Sequence, residues 1–427
     1  MKWILHPARK IYGSITLPGD KSISHRALML SAIADGTSTI ENLSDGLDVA
    51  NTALCLQNLG IQVHKTTGRV SVFGQGLCGL EPPLQPLDVG NSGTTMRLLA
   101  GILAGQSFES VLTGDASIRR RPMARIIEPL QKMGAGIATT NGEHAPIHIH
   151  GRALQAIRYP MPVASAQVKS CVLFAGLYAD GTTEVIEPCA TRDHTERMLH
   201  SFGANIRKKG DCSSVQQCEQ LKARDLFVPG DLSSAVFFIA AALMLPGSEL
   251  HIKEIGLNPT RTAFLSTLID MGAKIEIMNV INRNGELTGD LVVKHSDLTG
   301  KKIDDRLIPQ LIDEIPILAV LASQAQGTTE LRNAQELRFK ESDRLDALSR
   351  NLSKMGVELQ ELEDGLIIHG PAKLNGAEID SFGDHRIAMA FSIAALISEK
   401  ETTLKDAECV SVSCPRFFNL LENVTVG

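Results

Sequence analysis

Leu17-Pro18-Gly19-Asp20-Lys21-Ser22-Ile23-Ser24-His25-Arg26 runs directly into Ala27-Leu28-Met29-Leu30-Ser31-Ala32. A cationic, hydroxyl-bearing turn thus opens an apolar helix. The free backbone N–H groups of a first helical turn and the positive end of the helix dipole attract an anion, and Lys21 and Arg26 add full charges to that field. The plainer reading is a Pro-Gly-Asp turn, Ser22 or Ser24 as the cap, and two solvated surface cations. Recurrence favours the anion site. Pro229-Gly230-Asp231-Leu232-Ser233-Ser234 repeats the turn, and similar polar starts precede apolar runs at Gly90–Arg97, Ser165–Ser170, Asp313–Pro316 and Gly383–Arg386. The starts lie about 70 residues apart, which suits a whole supersecondary unit better than a solenoid repeat.

A second element recurs between them: an amphipathic helix closing on Leu59-Gly60, Met133-Gly134, Phe202-Gly203, Met271-Gly272 and Met355-Gly356, each followed by a short strand-like run. Glycine is expected there because it enters the left-handed conformation without a Cβ clash. The sixth copy, near Phe417–Leu421, is cut short by the end of the sequence. Each unit reads as strand, buried helix, strand, amphipathic helix, strand. Ile315–Ala322 and Ile387–Leu396 are apolar nearly all round, so they belong inside a domain, and they are too short to span a bilayer. Like packing of like units makes the buried helices roughly parallel, with several positive ends at one opening. Arg207–Leu221, with Gly210 and Ser213-Ser214, reads as a loop.

A chain of 427 residues holds two large cores. The paired turns at Pro18 and Pro229 divide the repeats three and three, giving a domain at 21–228 and another at 229–427 completed by residues 1–20. The predicted class is α/β, two similar domains around buried parallel helices. A net charge of −6 and 4% aromatic residues argue against nucleic-acid binding. No apolar leader or membrane segment is visible, so a cytoplasmic monomer is expected. The eight cysteines lack CxxC or zinc spacing, which predicts reduced thiols.

Lys21, Arg26, Arg97, Arg121, Lys169, Arg192, Lys340, Arg344, His385 and Arg386 lie at or near the helix starts. Stacked repeats direct them into one cleft, where small polyanions explain the gathering of cations in an acidic chain. Plainer readings stand beside this one: Arg121 in Arg119-Arg120-Arg121 as a solvated loop charge, Lys340–Arg344 as a helix face of local ion pairs, and His385 as a satisfied polar residue. Asp313 and Glu341 are the candidate acid and base, since carboxylates among cations stay ionised and can accept a proton from a hydroxyl. From spacing alone Asp313, just before Pro316, reads first as a helix cap.

Leu17–Arg26, Gly90–Arg97, Arg121-Pro122, Ser165–Gln167, Lys340–Arg344 and Asp384-His385-Arg386 together resemble the 5-enolpyruvylshikimate-3-phosphate synthase family, in family order and over essentially the whole chain. The resemblance implies two domains of three βαβαββ units that close on their substrates. It also implies transfer of the enolpyruvyl group of phosphoenolpyruvate to the 5-hydroxyl of shikimate 3-phosphate, with release of phosphate and no metal or organic cofactor. By the same resemblance Lys21, Ser22, Arg26, Ser165, Gln167, Arg192, Asp313 and Lys340 contact shikimate 3-phosphate. Lys21, Asn91, Gly93, Arg121, Gln167, Arg344 and Arg386 form the phosphoenolpyruvate site, and Ala166 and His385 also count as substrate-binding. Asp313 is the base at the 5-hydroxyl, and Glu341 and Lys21 manage the proton at the methylene carbon. Gly93 leaves room for close approach at the donor site. Ala166 stands where many members have Ser, Lys169 follows in the pattern of the divergent bacterial class, Glu336 replaces an Asn, and Val412-Ser413-Cys414-Pro415 lacks a Lys. Two rival readings are the related transferase acting on UDP-N-acetylglucosamine, whose loop cysteine is absent from Gly114–Arg119, and a non-catalytic polyanion binder, which has no need of Asp313 and Glu341.

Overall fold

The computed structural model describes residues 2–140 and 142–427. They form two compact units. The first comprises Gly19–Val228 and Asn282–Glu286; the second comprises the segment up to Pro18, Pro229–Ile281 and Leu287–Gly427. Each has its own apolar core.

Three four-stranded sheets of one pattern build the first unit. In each, a short leading strand pairs parallel with the next, and two antiparallel pairings follow. The orders are Leu226–Phe227, Asp35–Glu41, Arg69–Gln75, Gln62–Thr66; then Leu87–Asp88, Glu109–Thr113, Ile147–His150, Gly136–Thr139; then Arg158–Pro160, Thr182–Ile186, Cys212–Gln216, Ile206–Lys209. In the second and third sheets the parallel pair is joined by a buried helix, Gly93–Ala104 and Ala166–Gly176 respectively. The first sheet differs in its source of the leading strand. Lys10–Thr16, which precedes the Lys21–Ala32 helix, pairs instead with Glu249–Gly256 in the second unit, and Leu226–Phe227 takes the vacant position in the first. The two Pro-Gly turns therefore sit where the units exchange leading strands.

In the second unit the buried helices are Leu232–Met244, Ile315–Ala322 and His385–Leu396. The sixth repeat is completed from both ends of the chain: Lys2–Leu5 pairs antiparallel with Thr402–Lys405, and the Phe417–Val424 helix leads into Thr425–Val426, which pairs with Lys10–Ile11. The expected truncation is thus made good by the N-terminal strands. The expected loop over Arg207–Leu221 is also corrected, because its first half is a hairpin of Ile206–Lys209 and Cys212–Gln216 turning at Gly210.

Local chemistry explains where the helices start and stop. Asp20, Ser92, Ser165, Asp231 and Asp384 each accept a backbone N–H of the first turn through their side chains. Asp20, rather than Ser22 or Ser24, is therefore the first cap. The five recurring glycines that end the outer helices all have φ between +86° and +103°, where a side chain is strained. Inside the first unit, Gly101 lets two helices meet closely: a Cβ there falls 2.2 Å from the Cys171 carbonyl oxygen. All eight cysteines are free thiols. No helix among the described residues is long and apolar enough to cross a membrane.

One cap prediction follows from this geometry. Asp231 accepts from Ser233 N at 2.8 Å and from the Ser234 hydroxyl at 3.2 Å. Asp231→Ala should cost about 1 kcal/mol, read as a fall in thermal midpoint of about 2–4 °C.

Candidate active site

In the first unit the starts of three buried helices are laced together by side chains. His25 Nδ1 meets Thr52 Oγ1 at 2.7 Å, Thr52 meets Thr95 Oγ1 at 2.7 Å, and Thr95 Oγ1 donates to the cap Ser92 at 2.7 Å. Burial, then the nearby charges of Lys21 and Arg26, holds the His25 imidazole well below its ordinary value, so it serves this network as a neutral ring. Arg26 crosses to the third repeat. Its Nε donates to Thr195 Oγ1 at 2.6 Å, Nη2 to Ser170 Oγ at 2.7 Å and Nη1 to the Ser22 carbonyl at 2.8 Å. All three partners are neutral. Burial lowers the Arg26 guanidinium to about 10, so it remains charged at neutral pH with no carboxylate hydrogen-bonded to it.

The other cations of this unit sit on the same scaffold. Lys21 Nζ lies 3.1 Å from Asp48 Oδ2, on the helix that carries Thr52. Arg121 Nη2 donates to Asn91 Oδ1 at 2.6 Å, and Arg97 Nη1 donates to Gln167 Oε1 at 2.6 Å, with Gln167 Nε2 donating onward to Thr94 at 3.0 Å. Arg121 is therefore half-buried and tied to a helix start rather than a solvated loop charge. Ser165 caps its helix through Val168 N at 3.3 Å, which leaves its own hydroxyl proton to donate. Ser22 and Ala166 stand in first helical turns, and Arg192 follows buried Thr191.

Lys169 departs from expectation. Its side chain is fully buried, with Nζ 2.9 Å from Glu187 Oε2 and 2.8 Å from Glu196 Oε1. The ammonium is neutralised inside the unit, so it is not one of the cations offered to a ligand.

The second unit assembles its charges around Asp313. Asp313 Oδ1 is 3.5 Å from Lys340 Nζ and 3.6 Å from Arg344 Nη1, and the Asp313 carbonyl accepts from Arg386 Nη1 at 2.9 Å. The expectation that Asp313 caps the following helix is corrected, because the cap position belongs to Glu314 and no side-chain cap bond forms. Pro316 supplies the reason: a missing N–H in the first turn removes one of the donors a cap would satisfy. Lys340–Arg344 is likewise not a helix face. Lys340 is extended and the helix begins at Arg344, whose fully buried guanidinium donates to Asp384 Oδ2 at 2.8 Å and to Glu341 Oε2 at 2.7 Å. Burial alone pulls Arg344 down, but Asp384, Glu341 and Asp313 reverse the effect and its net shift is upward. Burial, the largest influence, likewise pushes Asp384 up, but the Arg344 charge, His385 and the Arg344 hydrogen bond together outweigh it, so the carboxyl ends below its ordinary value. His385, buried, opens the helix that Asp384 caps.

Several members of this site carry no motif signal. Buried Glu314 accepts from the Ser233 hydroxyl and from Arg261 Nη2 at 3.1 Å, and Arg386 Nη1 lies 3.9 Å away. One carboxylate thereby ties the starts of the unit's three buried helices. Asp48, Ser170 and Thr195 play the corresponding part in the first unit. Ser233 alone had a signal in the repeat itself, standing two residues after the cap Asp231 as Ser22 stands after Asp20.

The chain is similar to known proteins over nearly its whole length. The family model described as EPSP synthase (3-phosphoshikimate 1-carboxyvinyltransferase) matches residues 5–421. The 3-phosphoshikimate 1-carboxyvinyltransferase of Desulforamulus reducens is 47% identical over 428 residues, covering 100% of both chains, and that of Brevibacillus brevis is 49% identical over 98% of both. Among solved structures, EPSP synthase from Acinetobacter baumannii superposes with a TM-score of 0.90 at 41% identity, covering 100% of this chain and 98% of its own. The enolpyruvyl transferase NikO from Streptomyces tendae, at 17% identity and a TM-score of 0.80 over 99% of this chain and 96% of its own, shares the fold.

Proposed function

The chain belongs to the EPSP synthase family of 3-phosphoshikimate 1-carboxyvinyltransferases, and from that premise we propose how its side chains divide the work. The enzyme transfers the enolpyruvyl group of phosphoenolpyruvate to the 5-hydroxyl of shikimate 3-phosphate and releases phosphate, a step of aromatic amino acid biosynthesis. Asp313 takes the proton of the 5-hydroxyl. Glu341 and Lys21 exchange the proton at the methylene carbon, whose protonation makes an oxocarbenium-like centre for the hydroxyl to attack. Lys21, Ser22, Arg26, Ser165, Gln167, Arg192 and Lys340 hold shikimate 3-phosphate; Lys21, Asn91, Gly93, Arg121, Gln167, Arg344 and Arg386 hold phosphoenolpyruvate, and Ala166 and His385 complete the substrate-binding set. Fixed donors of this kind stabilise developing charge without reorganising during the reaction. We further propose a cytoplasmic monomer.

The observation that carries this reading is Asp313 held within 3.6 Å of both Lys340 and Arg344 while its backbone anchors Arg386. Such a carboxylate is fixed beside the anion receptors and remains a proton acceptor. A plain polyanion binder gains nothing from a carboxylate there. The test is phosphate release with phosphoenolpyruvate plus shikimate 3-phosphate, against phosphoenolpyruvate plus UDP-N-acetylglucosamine. Release with the UDP-sugar alone would overturn the reading.

Gly93 supplies a second test. A Cβ there lies 2.8 Å from Arg97 Nη1 and 3.3 Å from Arg121 Nη1, so a methyl presses on two guanidiniums at the proposed donor site. Gly93→Ala should weaken inhibition by glyphosate, a bulkier donor mimic, by about tenfold more than it raises KM for phosphoenolpyruvate. Equal losses for both would refute the close-approach argument.

A further inference from the structure

We propose that Lys169 is a positioning residue for Arg192 and Arg26, acting through the carboxylates of Glu187 and Glu196; the inference rests on the assignment of those arginines to shikimate 3-phosphate. Lys169 lies one helical turn beyond Ser165, its N–H bonded to the Ser165 carbonyl at 3.0 Å. Its ammonium joins two segments that approach that helix from elsewhere in the unit. Glu187 follows the Thr182–Ile186 strand, and its second oxygen accepts both the N–H of Thr191, at 3.0 Å, and the Thr191 hydroxyl. That pair of bonds closes the turn leading into Arg192. Glu196 sits one residue past Thr195, the acceptor for Arg26 Nε, and is itself held by the Ser213 hydroxyl at 3.1 Å. Ser170, next to Lys169 in the chain, bonds both Arg26 and Thr195. A single buried cation thus fixes the helix start, the Arg192 turn and the Arg26 acceptor relative to one another.

Packing gives no reason for this arrangement. Two carboxylates and an ammonium buried together face a desolvation cost that an apolar trio of equal volume avoids. What the ions add is fixed geometry, and the segments they fix carry the proposed phosphate receptors.

The experiment is steady-state kinetics of the full chain with each substrate varied in turn, alongside circular dichroism. Lys169→Met and Glu187→Leu should raise KM for shikimate 3-phosphate about tenfold while KM for phosphoenolpyruvate stays within about twofold and saturated kcat within about threefold. Glu187→Gln, which keeps an acceptor for Thr191 and leaves Lys169 on Glu196, should restore most of the affinity. A purely structural ion triad would lower the thermal midpoint and affect both KM values alike, and that result overturns the proposal. Should the first two variants fail to fold, Thr191→Val decides: a severalfold rise in KM for shikimate 3-phosphate alone supports it, and an unchanged KM overturns it. Failure of the functional reading is distinguishable, because the unaltered enzyme would then show no turnover of shikimate 3-phosphate.

Discussion

Asp313→Asn should lower kcat by about 10³-fold, the scale of a general base removed from a hydroxyl nucleophile. The substitution is isosteric. An amide oxygen still faces Lys340 and Arg344, and the backbone carbonyl that holds Arg386 is untouched. Proton acceptance is lost, and with it one negative charge beside Lys340 and Arg344. Binding of shikimate 3-phosphate should therefore persist, and the anion loses one nearby negative charge. Stopped assays give kcat, and titration calorimetry with shikimate 3-phosphate gives the affinity. Turnover within a few-fold of the unaltered enzyme removes Asp313 from the mechanism. Loss of binding along with turnover assigns it a structural role instead.

The second large effect is on stability. Arg344→Leu strips the cation from Asp384, Glu341 and Asp313, of which Asp384 is completely buried. Removing one partner of a buried ion pair leaves an uncompensated charge and costs about 3–5 kcal/mol. The pH dependence has a definite sign. In the native chain the Asp384 carboxyl lies below its ordinary value, so it contributes stability above the unfolded pKa, about 3.9, and loses it as pH falls through the lower folded value. Without Arg344, burial dominates and the carboxyl moves upward. Its contribution then becomes a penalty at neutral pH that protonation relieves. Denaturant melts should show the difference between native chain and variant largest near pH 7 and shrinking towards pH 4. A difference that grows on acidification would contradict the pairing.

Much of the fold is written locally. Side chains that cap a helix act over two or three residues, as Ser92 does on Thr95, and the recurring Gly after each outer helix reports a left-handed backbone at that one position. An apolar run such as Ile315–Ala322 announces its own burial, and helix starts marked by Lys21, Arg97 and Arg386 announce where charge collects. The motifs also carried the family. Where local reading failed, two uses of one residue were chemically equal at short range. Asp313 beside Pro316 is a plausible cap until Lys340 and Arg344 arrive from farther along the chain, and Lys169 is a plausible ligand cation until Glu187 and Glu196 enclose it.

The sequence by itself determined the repeated units and their buried helices, because each depends on periodicity and on neighbours within a turn or two. Tertiary structure alone decided which strand leads each sheet, which cations are neutralised internally and which carboxylate faces the cations. Those outcomes depend on contacts such as Arg26 with Thr195, separated by 169 positions. Pairing at that distance is set by how helices and sheets pack, a quantity that no local pattern of side chains encodes.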